Sequence, residues 1–73
     1  SYTLTLTPSR DNDIDGYIFT NGAAVAANEA AGIEPAVITA ELVQGISIAD
    51  VIGYNTEGTA VAAVCFDADF QMN

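Results

Sequence analysis

The sequence has almost no positive charge. It contains one basic residue, Arg10, against ten Asp and Glu residues, and it has no His, which gives a formal net charge of −9. Without a basic patch, the chain is not expected to bind the phosphate backbone of nucleic acids or an anionic membrane surface. Without His, it has no imidazole base and no imidazole metal ligand. These absences argue against a function in nucleic-acid binding, membrane binding or histidine-based catalysis.

Cysteine and long apolar runs are also scarce. Cys65 is the only cysteine, so no disulfide can form within the chain. It lies in the apolar run 60–66, for which we expect a buried and inert thiol. No apolar run reaches the roughly 18 to 20 residues of a membrane span. No basic segment precedes an apolar stretch, so the sequence predicts no signal peptide.

Charged residues make up only 15% of the chain and apolar residues 51%, where about 25% charged is usual. A chain of 73 residues is expected to form a single small domain, 1–73, with a marginal core. Such a domain has few charged side chains with which to cover its surface. We therefore predict that copies of itself, in a homo-oligomer, or a host protein lattice cover part of that surface. The alternative is an Ala-rich monomer.

Three segments read as β-strands. Residues 1–7 alternate apolar and Thr side chains, which is the period of a strand with one buried face. Residues 16–20 form a second candidate, which pairs with the first as a hairpin through the acidic connection 10–16. Residues 59–66 are apolar throughout their middle, which predicts a central strand buried on both faces.

Three further segments read as helical. Residues 23–31 are rich in Ala and end at a Gly. Residues 36–44 follow a Pro that suits a first helical turn. Residues 47–53 are interpreted as a short helical turn, because a strand would place Asp50 on the same face as Ile48 and Ile52. The predicted fold class is α+β: an N-terminal hairpin, two or three short helices and a C-terminal strand that completes an antiparallel or mixed sheet.

One motif has carboxylates at a regular spacing. The segment 11–16 reads Asp-Asn-Asp-Ile-Asp-Gly, and alternate carboxylates on a turning loop can converge on one calcium ion. In this respect it resembles an EF-hand or dockerin-type loop, although the twelfth position is Gly22, where that family has a bidentate Glu. The alternative is a solvated acidic loop. The candidate calcium ligands are Asp11, Asp13, Asp15 and the backbone carbonyl of Tyr17.

No constellation in the sequence indicates an enzyme. Asp67 and Asp69 would share one side of a strand, with Asp50 nearby, but no cation or cofactor motif accompanies them. The leading hypothesis is a structural or assembly subunit, such as a capsid-decorating virion protein or an extracellular filament or coat component. The alternatives are a calcium-stabilised binding module that uses the loop 11–16, or a small acidic inhibitor of a basic protein. We expect an extracellular or virion location.

Overall fold

The computed structural model describes residues 1–55, 57–61 and 64–73, and within them it contains six β-strands and no helix. The strands form two three-stranded antiparallel sheets. They are β1 (Tyr2–Pro8), β2 (Asp13–Thr20), β3 (Ala23–Asn28), β4 (Ala36–Ala40), β5 (Ser47–Tyr54) and β6 (Phe66–Met72). The first sheet has the order β4-β1-β6, and the second sheet has the order β3-β2-β5. The predicted α+β class is therefore wrong: the fold is all-β.

The two N-terminal strands are confirmed, but their pairing is not the predicted hairpin. The alternation of residues 1–7 forms β1, and the second candidate forms part of a longer β2. β1 pairs with β4 and β6, whereas β2 pairs with β3 and β5. The connection between β1 and β2 thus crosses from one sheet to the other, because each strand fills the middle of its own sheet and has no edge left for the other.

The predicted helix 23–31 is wrong because a tight turn fixes its first residues as a strand. Asn21 and Gly22 have φ values of 52° and 84°, and two positive φ angles are what a type I′ hairpin turn requires. The turn returns the chain along β2, where Thr20 opposes Ala23. The helix propensity of the Ala residues is a weak preference, and strand pairing with β2 overrides it.

The other two helical interpretations are wrong as well. In β4, Ala36, Ile38 and Ala40 are buried while the residues between them are exposed, which is a strand period of two. β5 replaces the predicted helical turn, with Asp50 on the exposed outer face of the second sheet. A carboxylate that remains in water has no desolvation cost, so Asp50 does not oppose strand formation.

The last predicted strand, 59–66, is also misplaced. Ala60 forms an isolated bridge with Tyr54, and the strand proper begins only at Phe66. Ala62 and Ala63, which belong to the same prediction, lie outside the described residues. Cys65, expected to be buried, is exposed. The described part of this run is therefore not a central strand, and the C-terminal strand β6 lies at an edge of its sheet.

The core lies between the two sheets, which pack face to face. Their buried apolar side chains are Leu4, Leu6, Ile14, Ile18, Ala36, Ile38 and Ala40. Contacts between the sheets join β3 to β4, β2 to β4 and β1 to β2. β5 and β6, which are both described in full, have no Cα atoms within 8 Å of each other. The sandwich is therefore closed along its β3–β4 side and open along its β5–β6 side.

Candidate functional site

The inner face of β6 is apolar and uncovered. Phe70 lies opposite Leu4 and Met72 lies opposite Tyr2, so these side chains point to the side of the sheet that carries the core. Leu4 is only 5% exposed, but Phe70 is 53% exposed and Met72 is 75% exposed. The difference arises because no strand of the second sheet covers β6. Phe66 and Ala68 continue the same exposed face.

A cleft of about 330 Å³ opens between the sheets beside these residues. Among the described residues that line it, all but Ser47 are apolar. The lining residues are Leu4, Ile18, Leu42, Ser47, Ile48, Ala49 and Phe70. We use the name "open edge" for this cleft together with the free edge of β6.

The backbone of β6 has a free hydrogen-bonding edge. The Asn73 N–H donates to the Ser1 carbonyl at 2.9 Å, and the Ser9 N–H donates to the Cys65 carbonyl at 3.0 Å. In an antiparallel ladder, hydrogen-bonded pairs alternate with non-bonded pairs. The odd-numbered residues of β6 are therefore the ones bonded to β1. The even-numbered residues direct their N–H and C=O groups away from β1, and these residues are Phe66, Ala68, Phe70 and Met72.

A second apolar hollow, of about 510 Å³, lies on the outer face of the second sheet near the turn between β2 and β3. Ile46 and Ile48, which line it, are 74% and 60% exposed. Ile48 also lines the cleft of the open edge. Exposed apolar surface thus continues around β5 from the open edge to the outer face of the second sheet.

The candidate calcium ligands do not form a loop. Asp13, Asp15 and Tyr17 alternate along the outer face of β2, while Asp11 lies in the exposed bend before that strand. Strand geometry holds the two carboxylates of β2 side by side on one line, instead of curving them around one point. In the part of the chain that the structure describes, no three carboxylate, thiol or imidazole groups are placed to share a metal ion.

Two carboxylate oxygens on this face have no partner among the described residues. They are Oδ1 of Asp13 and Oδ1 of Asp15, and both are buried. Burial raises the pKa of Asp15 above its ordinary value, and the negative charges of Asp13 and Glu29 raise that pKa further. We name Asp13 and Asp15 the acidic strip. It is a site of uncompensated negative charge, because the described residues place no cation against it.

Glu29 has a defined partner nearby. The Tyr17 hydroxyl donates a hydrogen bond to Glu29 Oε2 at 2.8 Å. This hydrogen bond to a carboxylate raises the pKa of Tyr17 to about 12, with smaller contributions from desolvation and from neighbouring negative charge. The pair anchors the end of β3 to the outer face of β2.

The carboxylates considered for acid–base chemistry are not brought together. Asp67 and Asp69 lie on the outer face of the first sheet, opposite Thr7 and Thr5. Asp50 lies opposite Tyr17 on the outer face of the second sheet. The two groups are on opposite sides of the sandwich, so they cannot act on one substrate.

The open edge was not predicted from the sequence. The signal was present in residues 66–72, Phe-Asp-Ala-Asp-Phe-Gln-Met, which alternate apolar and polar side chains. Comparison of the chain with protein-family models, curated proteins and solved structures found no match. The open edge and the acidic strip are therefore the features from which a function can be inferred. The part of the chain that the structure describes contains no helix of the length and apolar character needed to cross a membrane.

Proposed function

We propose that this protein is a non-enzymatic structural or assembly subunit, whose open edge is covered by another protein surface. The observation that carries the proposal is the uncovered inner face of β6, where Phe70 and Met72 point to the core side of the sheet and remain exposed. Exposed apolar surface of this kind is typical of a protein interface. The free backbone edge of the same strand supports the same function, because unpaired edges pair readily with other strands.

The dimensions of the chain support the proposal. The accessible surface is 4737 Å², whereas a compact monomer of this mass exposes about 4,200 Å². The radius of gyration is 12.2 Å, compared with about 11 Å for a compact domain of this length. The excess surface is expected for a subunit whose sandwich is completed only in the assembled state.

Within this class, we propose a capsid-decorating virion protein or an extracellular filament or coat component. The lightly charged, apolar surface suits burial against copies or a host lattice. A chain whose one basic residue is Arg10 offers trypsin-like proteases a single site, which suits a location outside the cell.

Light scattering of the purified chain tests the proposal. We expect a mass well above one 7.5 kDa protomer, with a melting temperature that rises with protein concentration. A chain that remains a soluble monomer at every accessible concentration, with a constant melting temperature, would contradict it. The exposed double variant Glu34→Gln/Glu57→Gln, which only reduces the net negative charge from −9 to −7, is the control for non-specific association.

A second candidate, a calcium-stabilised binding module, is favoured by the acidic strip. The unpartnered Oδ1 atoms of Asp13 and Asp15 are hard oxygen ligands without a compensating charge. Calcium should then raise the melting temperature of the wild-type chain, and Asp13→Asn/Asp15→Asn should abolish that response. A melting temperature that is the same in calcium and in chelator would overturn this candidate.

A further inference from the structure

We propose that two copies of this chain pair through their β6 strands, antiparallel and about a two-fold axis at Phe70, which joins their first sheets into one six-stranded sheet. This inference rests on the proposed function and assigns the surface and register of the first assembly step. It depends on three properties of β6: the direction of its free backbone groups, the charges on its outer face and the apolar side chains on its inner face.

The backbone groups restrict the registers that are available. A two-fold axis perpendicular to the sheet places side chains from the same face opposite each other, so even-numbered residues must oppose even-numbered residues. The free N–H and C=O groups belong to the even-numbered residues, as the Asn73–Ser1 and Ser9–Cys65 hydrogen bonds require. In every such register, the free groups of one copy therefore meet those of the other and can form a regular ladder.

The outer-face charges exclude some of these registers, and among the rest an axis at Phe70 pairs residues 67–73, a longer stretch than the 69–73 paired by an axis at Gln71. An axis at Asp69 would place that carboxylate directly against its symmetry mate, and an axis at Ala68 would place Asp67 against Asp69 twice. Like charges in directly opposed positions destabilise a strand pair. An axis at Phe70 instead places Asp69 opposite Gln71 and Asp67 opposite Asn73, so each carboxylate faces a side-chain amide. Within one chain, the Gln71 amide donates to Asp69 Oδ2 at 2.8 Å, so an amide–carboxylate pair already forms on this face.

The same register matches the inner faces. Phe70 lies beside Phe70 of the second copy, and Ala68 lies beside Met72. These residues are exposed in the single chain, and the pairing removes part of their apolar surface from water. A small side chain beside a long one fills the space evenly, which favours close packing. The register that separates the carboxylates is therefore also one that brings apolar groups together.

The net charge gives this pairing a distinctive salt dependence. Each copy carries −9, so two copies repel at long range and added salt should strengthen the dimer by screening. A cationic partner strand on the same edge would show the opposite behaviour, because salt would weaken its attraction to Asp67 and Asp69. A dimer that strengthens as salt is raised supports the proposal, and one that weakens contradicts it.

Ala68→Pro tests the edge. Its N–H is directed away from β1, so proline removes a hydrogen bond of the dimer ladder and none within the chain. Ala68→Thr is the matched control, because it keeps the N–H and favours a strand. We expect a dimer dissociation constant raised by about tenfold or more in Ala68→Pro, and little changed in Ala68→Thr. Circular dichroism verifies that both variants remain folded.

Single cysteines in a Cys65→Ser background test the register without depending on a proline. Oxidation should join two chains efficiently through Phe70→Cys, since symmetry mates in an antiparallel pair have Cα atoms about 5.5 Å apart, which suits a disulfide. Cross-linking that is faster through Ala68→Cys or Asp69→Cys than through Phe70→Cys would overturn the register. A wild-type oligomer that persists in Ala68→Pro, with no preference for position 70, refutes the inference and leaves the proposed function standing. A wild-type monomer refutes both.

Discussion

Gly16 on β2 and Ile38 on β4 meet where the two sheets come very close: a Cβ placed on Gly16 would lie 2.7 Å from Ile38 Cδ1 and 2.7 Å from Leu6 Cδ1. Packing requires glycine at this position. Backbone conformation does not, because the φ of Gly16 is not positive. We expect Gly16→Ala to lower the free energy of unfolding by about 1–3 kcal/mol through overpacking. Urea denaturation measures this cost.

The same contact predicts a favourable coupling between Gly16 and Ile38. Ile38→Val removes one of the two atoms that the new methyl would strike and leaves Leu6 Cδ1 in place; alone it should cost about 0.5–1.5 kcal/mol. The double variant Gly16→Ala/Ile38→Val should be more stable than the sum of the two single effects by at least about 0.5 kcal/mol. Strict additivity would mean that the new methyl does not meet Ile38 and that any overpacking arises at Leu6.

The turn between β2 and β3 should be sensitive to backbone conformation alone. Gly22 has a φ of 84°, and nothing lies within 4 Å of a Cβ placed there. Gly22→Ala should therefore cost about 1–2 kcal/mol of stability through backbone strain, without any steric clash. Gly22→Asn should cost less, because Asn tolerates positive φ. Equal losses in the two variants, measured by thermal melting, would argue against a positive φ at this position.

The sequence permitted a correct prediction of β1 because Leu4 and Leu6 alternate with Thr along the strand. The rest of the fold could not be predicted as readily, for reasons that differ between segments. β3 is rich in Ala, which packs equally well in a helix, and only the Asn21-Gly22 pair marks it as the return strand of a hairpin. β5 was rejected as a strand on account of Asp50, whose cost depends on exposure. Exposure is set by which face of β5 the other sheet covers, and no local pattern reports that.

The candidate site was predictable only in part. The acids of 11–16 were predicted to curve around one ion, whereas Asp13 and Asp15 lie on a strand. The Asp-x-Asp period of two suits both a calcium loop and a strand, so the sequence could not separate them. The open edge exists because β6 pairs with β1 on one side and with no described strand on the other. That is a property of topology, so the alternation in 66–72 indicates an edge only once the order β4-β1-β6 is known.

Asp15 should make stability fall as pH rises. Its pKa is raised above the ordinary value of 3.8, so the folded state binds the proton more tightly than the unfolded state. Below pH 3.8 the carboxyl is protonated in both the folded and the unfolded state, so it does not lower the free energy of unfolding. That free energy falls as the pH rises from 3.8 through the folded-state pKa. Asp15→Asn should therefore be more stable than the wild-type chain at neutral pH and no more stable in strong acid.

Glu34→Gln is the control for Asp15→Asn. It removes the same unit of charge from an exposed position, so it separates net charge from burial. Thermal melting across the acid range compares the two variants with the wild-type chain. An equal gain in stability from both variants, at every pH, would mean that burial of the Asp15 carboxylate does not destabilise the folded state.

The Tyr17 hydroxyl should lose its proton at a higher pH than an ordinary tyrosine. Its pKa is raised from 10.0 to about 12, chiefly by its hydrogen bond to Glu29. Glu29→Gln should bring that pKa back toward 10, while the exposed Glu34→Gln should leave it unchanged. The ultraviolet absorbance of tyrosinate follows the titration. Because the folded state holds this proton more tightly, stability should decline as pH rises from about 10 to about 12. A Tyr17 that ionises at its ordinary pKa in the wild-type chain would show that the Glu29 contact is absent in solution.

The thiol of Cys65 should react readily in the folded protein. Its backbone carbonyl is held by both the N–H and the hydroxyl of Ser9, at 3.0 Å and 2.9 Å, but its side chain is exposed. A disulfide reagent should therefore modify one thiol per chain under native conditions, with little acceleration in denaturant. Reaction only after unfolding would place the thiol in the core, as its apolar neighbours in the sequence suggest. An accessible thiol this close to the start of β6 would also form disulfide-linked dimers in air, which is why the cross-linking variants carry Cys65→Ser.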